Sequence, residues 1–142
     1  MFFKQCNKCE PCGRNCAICP YVRNTDSFTN FKGELFTVKN YINCLTANVV
    51  YALFCKQCQK FIYVGETGDT LYQRHLLNLS LIRRQKSDPV AVHFNSEKHS
   101  INDLEIVALE KICGDDTYRQ TMEIFWMNKL RTYKPHGINT KT

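Results

Sequence analysis

Residues 48–74 read NVVYALFCKQCQKFIYVGETGDTLYQR, and the fold turns on how this stretch divides. Val49–Phe54 and Phe61–Val64 are short runs rich in β-branched and aromatic side chains, which suit a pleated, half-buried surface. The polar link between them carries Cys55-x-x-Cys58, so the two runs are expected as strands of a hairpin. Gly65 and Gly68 follow. A helix is then expected to start at Asp69 or Thr70, side chains that cap free amides, and to carry Arg74. Tyrosines on neighbouring strands (Tyr51, Tyr63), a glycine that admits close backbone approach and an arginine on the next helix can converge on one phosphate.

The helix should run to about Arg84, with Leu71, Arg74, His75, Asn78 and Ile82 on one stripe. Three polar groups in that row suggest a helix leaning over a site. Lys86-Ser87-Asp88-Pro89 breaks it, and Pro89 suits the first turn of a short helix ending near Asn95. Leu104–Leu109 alternates weakly and is expected as the third strand. Asp115 and Asp116, with Thr117-x-x-Gln120 as a capping box, should open a last helix. Its apolar face would be Met122, Phe125, Trp126, Leu130 and Tyr133, with Glu123 at the border. Before the hairpin, residues 1–22 hold Cys6, Cys9, Cys12, Cys16 and Cys19 and little that could form a core; residues 23–33 read as loop, and Leu35–Val38 as a short strand. The expected architecture is α+β: a small, mainly antiparallel three-stranded sheet flanked by helices over 48–142, with a Cys-rich, zinc-ordered extension over 1–47.

A chain of 142 residues supports one modest core. No apolar run approaches the roughly 20 residues that cross a bilayer, and no signal-peptide pattern opens the chain. The net charge of +6 favours an anionic partner without identifying it. Nine cysteines, an odd number, without a secretory segment argue for metal rather than a disulfide framework. Cys55 and Cys58 with His93 and His99 form a Cys2His2 set, although the histidine spacing is at or just past the usual zinc range. Cys12, Cys16 and Cys19, closed by Cys44, form the best second set, in which Cys6 or Cys9 can substitute. Cys113, between Ile112 and Gly114, is expected to be structural and unliganded.

Val49-Val50-Tyr51, then Tyr63-Val64-Gly65, Arg74, Glu123 and Gly137-Ile138-Asn139, taken in order, resemble the core of the GIY-YIG nucleases. The CxxC between the tripeptides, with His93-Phe94 and His99 downstream, resembles the GIY-YIG domain of Penelope-like retroelements, where it follows a reverse transcriptase. The resemblance covers roughly residues 12–139. It implies a divalent-metal-dependent DNA endonuclease that nicks target DNA to prime reverse transcription, in the nucleus, with a reverse transcriptase domain of the same polyprotein as partner. Glu123 would hold Mg2+ or Mn2+, Arg74 would contact the scissile phosphate, Tyr51 would be the candidate base for water and Tyr63 a second phosphate contact. Asn139 would be a phosphate or structural ligand. The Cys2His2 set would be a zinc staple tying the hairpin link to the segment after the first helix.

Two positions depart from that pattern. Glu66 follows Gly65 where several relatives carry lysine, and Asn78 stands four residues past Arg74 where many carry histidine or tyrosine. Asparagine cannot relay a proton, and His75, one position past Arg74, points about 100° away on helical geometry. The alternative reading is therefore a catalytically weak or inactive zinc-stabilised DNA-binding module. A RING-like protein-interaction module fits poorly, because the cysteine gaps lack its interleaved spacing. For either DNA reading, Arg83, Arg84 and Lys86 after the first helix, and Lys129, Arg131 and Lys134 at the last, are the candidate phosphate-backbone contacts.

Overall fold

Alternation and a central position decide the core. The computed structural model describes residues 7–140. In chain order its strands are β1 (Lys8–Cys9), β2 (Ser27–Thr29), β3 (Leu35–Thr37), β4 (Tyr41–Ile42), β5 (Ala47–Cys55), β6 (Lys60–Thr70) and β7 (Leu104–Lys111). Its α-helices are α1 (Leu71–Arg83), α2 (Pro89–Phe94) and α3 (Asp116–Leu130). β6, β5 and β7 form a three-stranded sheet in that order, antiparallel throughout. Every side chain from Val49 to Leu53 is buried, as a middle strand covered on both faces requires. The chain is thus α+β, with small sheets and flanking helices.

β6 outruns the expected Phe61–Val64. Its ladder continues through polar residues, with Thr67 opposite Val49 and Thr70 opposite Ala47. Thr70 then caps α1: its hydroxyl accepts from the Gln73 amide while the Gln73 side chain accepts from the Thr70 amide. The first amides of α1 find backbone partners too, Leu71 donating to the Thr46 carbonyl and Tyr72 to that of Cys44. At α3 the cap is Asp115, accepting from the Tyr118 amide at 2.9 Å. That helix ends at Leu130, before the expected Tyr133, because Arg131 adopts a left-handed conformation at φ 57°. Its buried face is Arg119, Trp126, Met127 and Leu130; Phe125, expected inside, is 41% exposed.

Both edges of the main sheet are covered, which removes the template for strand addition. On the β7 edge, Val22 and Lys39 bridge in parallel to Ile106 and Glu110. On the β6 edge, Ile138 donates to the Ile62 carbonyl and the Asn139 side chain pairs with the backbone of Val64. The amino-terminal segment shares the core of the sheet, contributing Cys9, Ile18, Val22, Phe28, Val38, Ile42 and Cys44. Part of the segment expected as loop folds instead: β2 and β3 pair as an antiparallel hairpin, and Phe28 and Phe36 pack edgewise on Trp126 of α3. Three-residue strands with one inward aromatic each are too short for alternation to reveal. Among the described residues no helix is long and apolar enough to cross a membrane.

Candidate active site and metal centres

Tyr51 and Gly65 are opposite one another in the β5–β6 register, and Leu53 faces Tyr63 two positions along, so Tyr51, Leu53 and Tyr63 project from one face of the sheet beside Gly65. The absence of a side chain at Gly65 gives the Tyr51 ring its place. A Cβ there would lie 2.5 Å from the Tyr51 hydroxyl and 2.9 Å from the Tyr63 ring. α1 crosses this face. Arg74 and Asn78 line a cleft of about 270 Å3 with Tyr51, Tyr63, Asp88 and Asn139. Four of the five residues expected in an active site thus share one cleft wall.

Arg74 donates one long hydrogen bond to the Glu66 carbonyl at 3.3 Å, and its Nε is buried without a partner. It forms no ion pair among the described residues. Tyr51 is buried, and burial first, then Tyr63, pushes its phenol above the ordinary range, while Arg74 and Asn78 oppose this. Tyr51 therefore keeps its proton at neutral pH. Glu123, on α3, is partly buried; burial first and the neighbouring Glu66 carboxylate second push its carboxyl up to about 7, against the pull of Arg74. The long-range influence of Glu123 also reaches Tyr51 and Tyr63, which ties α3 electrostatically to the cleft.

His75 packs behind the same assembly, on the expected stripe but fully buried and off the cleft lining. Its ring meets that of Tyr51 edge-on with centroids 4.5 Å apart, and its Nδ1 lies 3.1 Å from the Asn78 amide nitrogen. Burial, then Arg74, lowers the imidazole to about 3, so it is neutral, and its Nε2 has no partner. Buried polar atoms without partners are rare in native proteins. Arg74 and His75 on α1 supply two of the three among the described residues, the other being Thr132 Oγ1.

Asn139 enters the cleft as a strut. Its amide oxygen accepts from the Val64 N–H at 2.8 Å and its amide nitrogen donates to the Val64 carbonyl at 3.1 Å. Gly137 lets this segment dock, since a Cβ there would sit 2.4 Å from the Thr132 carbonyl oxygen and 2.6 Å from that of Ile62. Glu66 is not a bare charge either. Arg119, 7% exposed, forms an ion pair with it and reaches Asp116 at 3.0 Å and the Asn48 side chain at 3.1 Å. Sequence reasoning passed over Arg119 because an arginine in the first turn of a helix is ordinarily solvated.

Two Cys/His clusters bring their ligand atoms together: Cys12, Cys16, Cys19 and Cys44, and Cys55, Cys58, His93 and His99, each set within 4.8 Å of one another. Sγ–Sγ separations in the first are 3.4, 3.6 and 3.9 Å. A tetrahedron with about 2.3 Å zinc–sulfur bonds has edges of about 3.8 Å, so the spacing fits a zinc tetrathiolate and not a disulfide. In the second, Cys58 Sγ lies 3.8 and 3.4 Å from the Nε2 atoms of His93 and His99. His99 Nδ1 contacts the Ser96 hydroxyl and the Glu97 carbonyl, an outer shell that fixes its ring and leaves Nε2 for metal. These sets can hold zinc structurally. Despite opposing burial, hydrogen bonds from Cys16 and Cys12 lower the Cys19 thiol to about 7, which favours thiolate ligation.

Cys9 joins neither set. It is buried against β7, its sulfur accepts from the Ala108 amide at 3.4 Å, and burial pushes its thiol up to about 11. Cys6 lies outside the described residues. Cys113 is free but exposed, so the expected structural role is not seen. Arg83, Arg84, Lys86, Lys129, Arg131 and Lys134 are all exposed. No protein-family model, curated protein or solved structure matches the chain.

Proposed function

We propose that the chain is a divalent-metal-dependent DNA endonuclease of the GIY-YIG type, resembling the Penelope-like retroelement domain. The observation that carries this reading is the Arg74 guanidinium, its Nε buried and unpartnered, facing two tyrosines across an open cleft. A cation left without a carboxylate is suited to an oxyanion from outside, and a guanidinium can grip phosphate with two donors. Tyr51, holding its proton, would donate a hydrogen bond to that phosphate, and Tyr63 would flank it. His75 and Asn78 would hold the Tyr51 ring, and Asn139 the β6 backbone beneath it.

Glu123 fits a site for Mg2+ or Mn2+, since such ions commonly take one or two carboxylates with the remaining ligands from water and phosphate. Its carboxyl, raised to about 7, would give up its proton on binding the ion. A divalent ion at that position would supply Lewis-acid stabilisation of the phosphorane and a more acidic water. Arg119 offsets the negative charge of Glu66, although the pair does not supply the positive charge that lysine brings at this position in relatives. By resemblance, the product would be a nick in chromosomal DNA that primes a reverse transcriptase of the same polyprotein, in the nucleus.

The test is nicking of supercoiled plasmid in Mg2+ or Mn2+ by the intact chain and by Arg74→Ala, with duplex binding as a second readout. Losing one charge-assisted phosphate donor should cost roughly a hundredfold or more in rate with a small change in duplex affinity. Equal rates in the two proteins would remove Arg74 from the chemistry. Duplex binding without nicking by the intact chain would favour the DNA-binding module instead.

A further inference from the structure

The β2–β3 hairpin ends in a hydrogen-bonded tip beside α3. The Asn30 side chain accepts from the amides of Lys32 and Glu34 at 3.0 and 2.9 Å, and its amide nitrogen donates to the Lys129 carbonyl at 3.3 Å. Phe31 is thereby held outward, 52% exposed. Grooves of about 260 and 300 Å3 flank this tip, one between it and the β5–β6 hairpin end, the other between it and Phe125 of α3. Cations crown both rings. The Arg131 guanidinium lies 4.9 Å from the Phe31 ring centre, the Lys32 ammonium 5.7 Å from the same ring, and the Lys129 ammonium 5.6 Å from that of Phe125. Arg131 is steadied by a 2.7 Å hydrogen bond to His136. With Lys60 added, the acidic side chain lining these grooves is Glu34 alone, and that carboxylate accepts from Asn30 at 3.1 Å.

Exposed aromatic faces interleaved with lysine and arginine match unpaired nucleotides: bases stack on the rings while phosphates meet the cations. A duplex offers the cations the same phosphates but keeps its base faces stacked on one another. We propose that the Phe31 tip and the two grooves beside it bind single-stranded nucleic acid. The occupant follows from the pairing of rings and charges, and the proposal stands whether or not the cleft cleaves DNA.

The experiment is fluorescence anisotropy of the full chain with labelled oligothymidine of about 12 nucleotides, a length within the range such single-strand sites span, against a duplex probe. Phe31→Ala should weaken oligothymidine binding about tenfold, and Phe31→Trp should retain it, since base stacking on an aromatic ring is the contact removed. Duplex affinity should change by less than about twofold in both. The exposed position leaves the fold intact, checked by unchanged thermal melts. Lys129→Ala should weaken oligothymidine binding and flatten its salt dependence. Unchanged oligothymidine affinity in Phe31→Ala, or an equal loss on duplex, overturns the proposal. Glu123→Ala is the separating control: it should bind oligothymidine like the intact chain whatever it does to nicking. A parallel oligouridine arm tells a DNA strand from an RNA strand.

Discussion

The Cys2His2 cluster and the Tyr51–Arg74 cleft both draw residues from the β5–β6 hairpin, yet they differ in how far their polar groups are satisfied. In the cluster, four ligand atoms converge on one point and an outer shell orients His99. Nothing is left over except a place for an ion. At the cleft Arg74 Nε is buried without a partner, His75 Nε2 behind it is too, and Glu123 on α3, outside the cleft lining, has its carboxyl raised to about 7. A set of groups that completes itself around one ion suits a staple, and a set that leaves cations and acids unpaired suits a passing substrate. That contrast carries the division of labour between the two ends of the hairpin.

The strongest way to break the contrast is to remove the metal. Structural zinc sites bind with roughly 10–16 kcal/mol of apparent free energy, which is folding free energy in domains this small. Metal analysis should find two zinc ions per chain, one for each cluster, and a strong chelator should abolish cooperative thermal unfolding. A sharp, unshifted melt after complete chelation would show that the clusters are not staples.

Arg119→Met probes the join between the two regimes. It leaves Glu66 with its neighbouring cation removed, and breaking a largely buried pair costs about 3–5 kcal/mol. The freed negative charge lies close enough to act on Glu123, so that carboxyl should rise further and metal-dependent nicking should weaken. A double variant with Glu66→Gln should recover stability; failure to recover would mean that Arg119 acts through Asn48 and Asp116 instead.

Asn139→Ala should cost about 2 kcal/mol, because both backbone groups of Val64 lose their partner at a buried sheet edge. The chemical denaturation midpoint should drop while nicking at low temperature survives. Loss of nicking with unchanged stability would make Asn139 a phosphate ligand after all.

The smallest effect near neutral pH is a slope in stability. His75 is held neutral with its pKa lowered to about 3, whereas unfolded histidine titrates near 6.5. Between those values the unfolded chain binds more protons than the folded one, so stability falls as pH drops below 6.5 and the loss levels off near 3. The slope is at most about 1.4 kcal/mol per pH unit. Acid also strips zinc, so the comparison is made against His75→Leu at each pH; identical slopes in both proteins would contradict the buried, neutral imidazole.

The parts legible in the sequence are those with long or chemically unmistakable signals. Val49–Phe54 and Phe61–Val64 announce the hairpin, Asp69 and Thr70 the start of its helix, and the cysteine and histidine spacings both clusters. Leu35–Val38 reads as a strand and contains β3, but its partner β2 was hidden because three residues are too few to alternate and the segment looks like any polar loop. Arg119 was passed over because its environment is set by where a helix crosses a sheet, which no helical wheel supplies. Phe125 was taken for core because aromatic spacing on a helix ordinarily marks an inward face, whereas here Trp126 and Met127 take that face and Phe125 turns outward.

The central claim is that the unsatisfied cleft hydrolyses phosphodiesters with help from an ion at Glu123. The most direct measurement compares nicking of supercoiled plasmid by the intact chain and by Glu123→Ala, purified identically, across a Mg2+ and Mn2+ titration. The account predicts metal-dependent nicking by the intact chain and its loss in the variant, with both proteins keeping their zinc and melting cooperatively. Equal nicking by the two would contradict it.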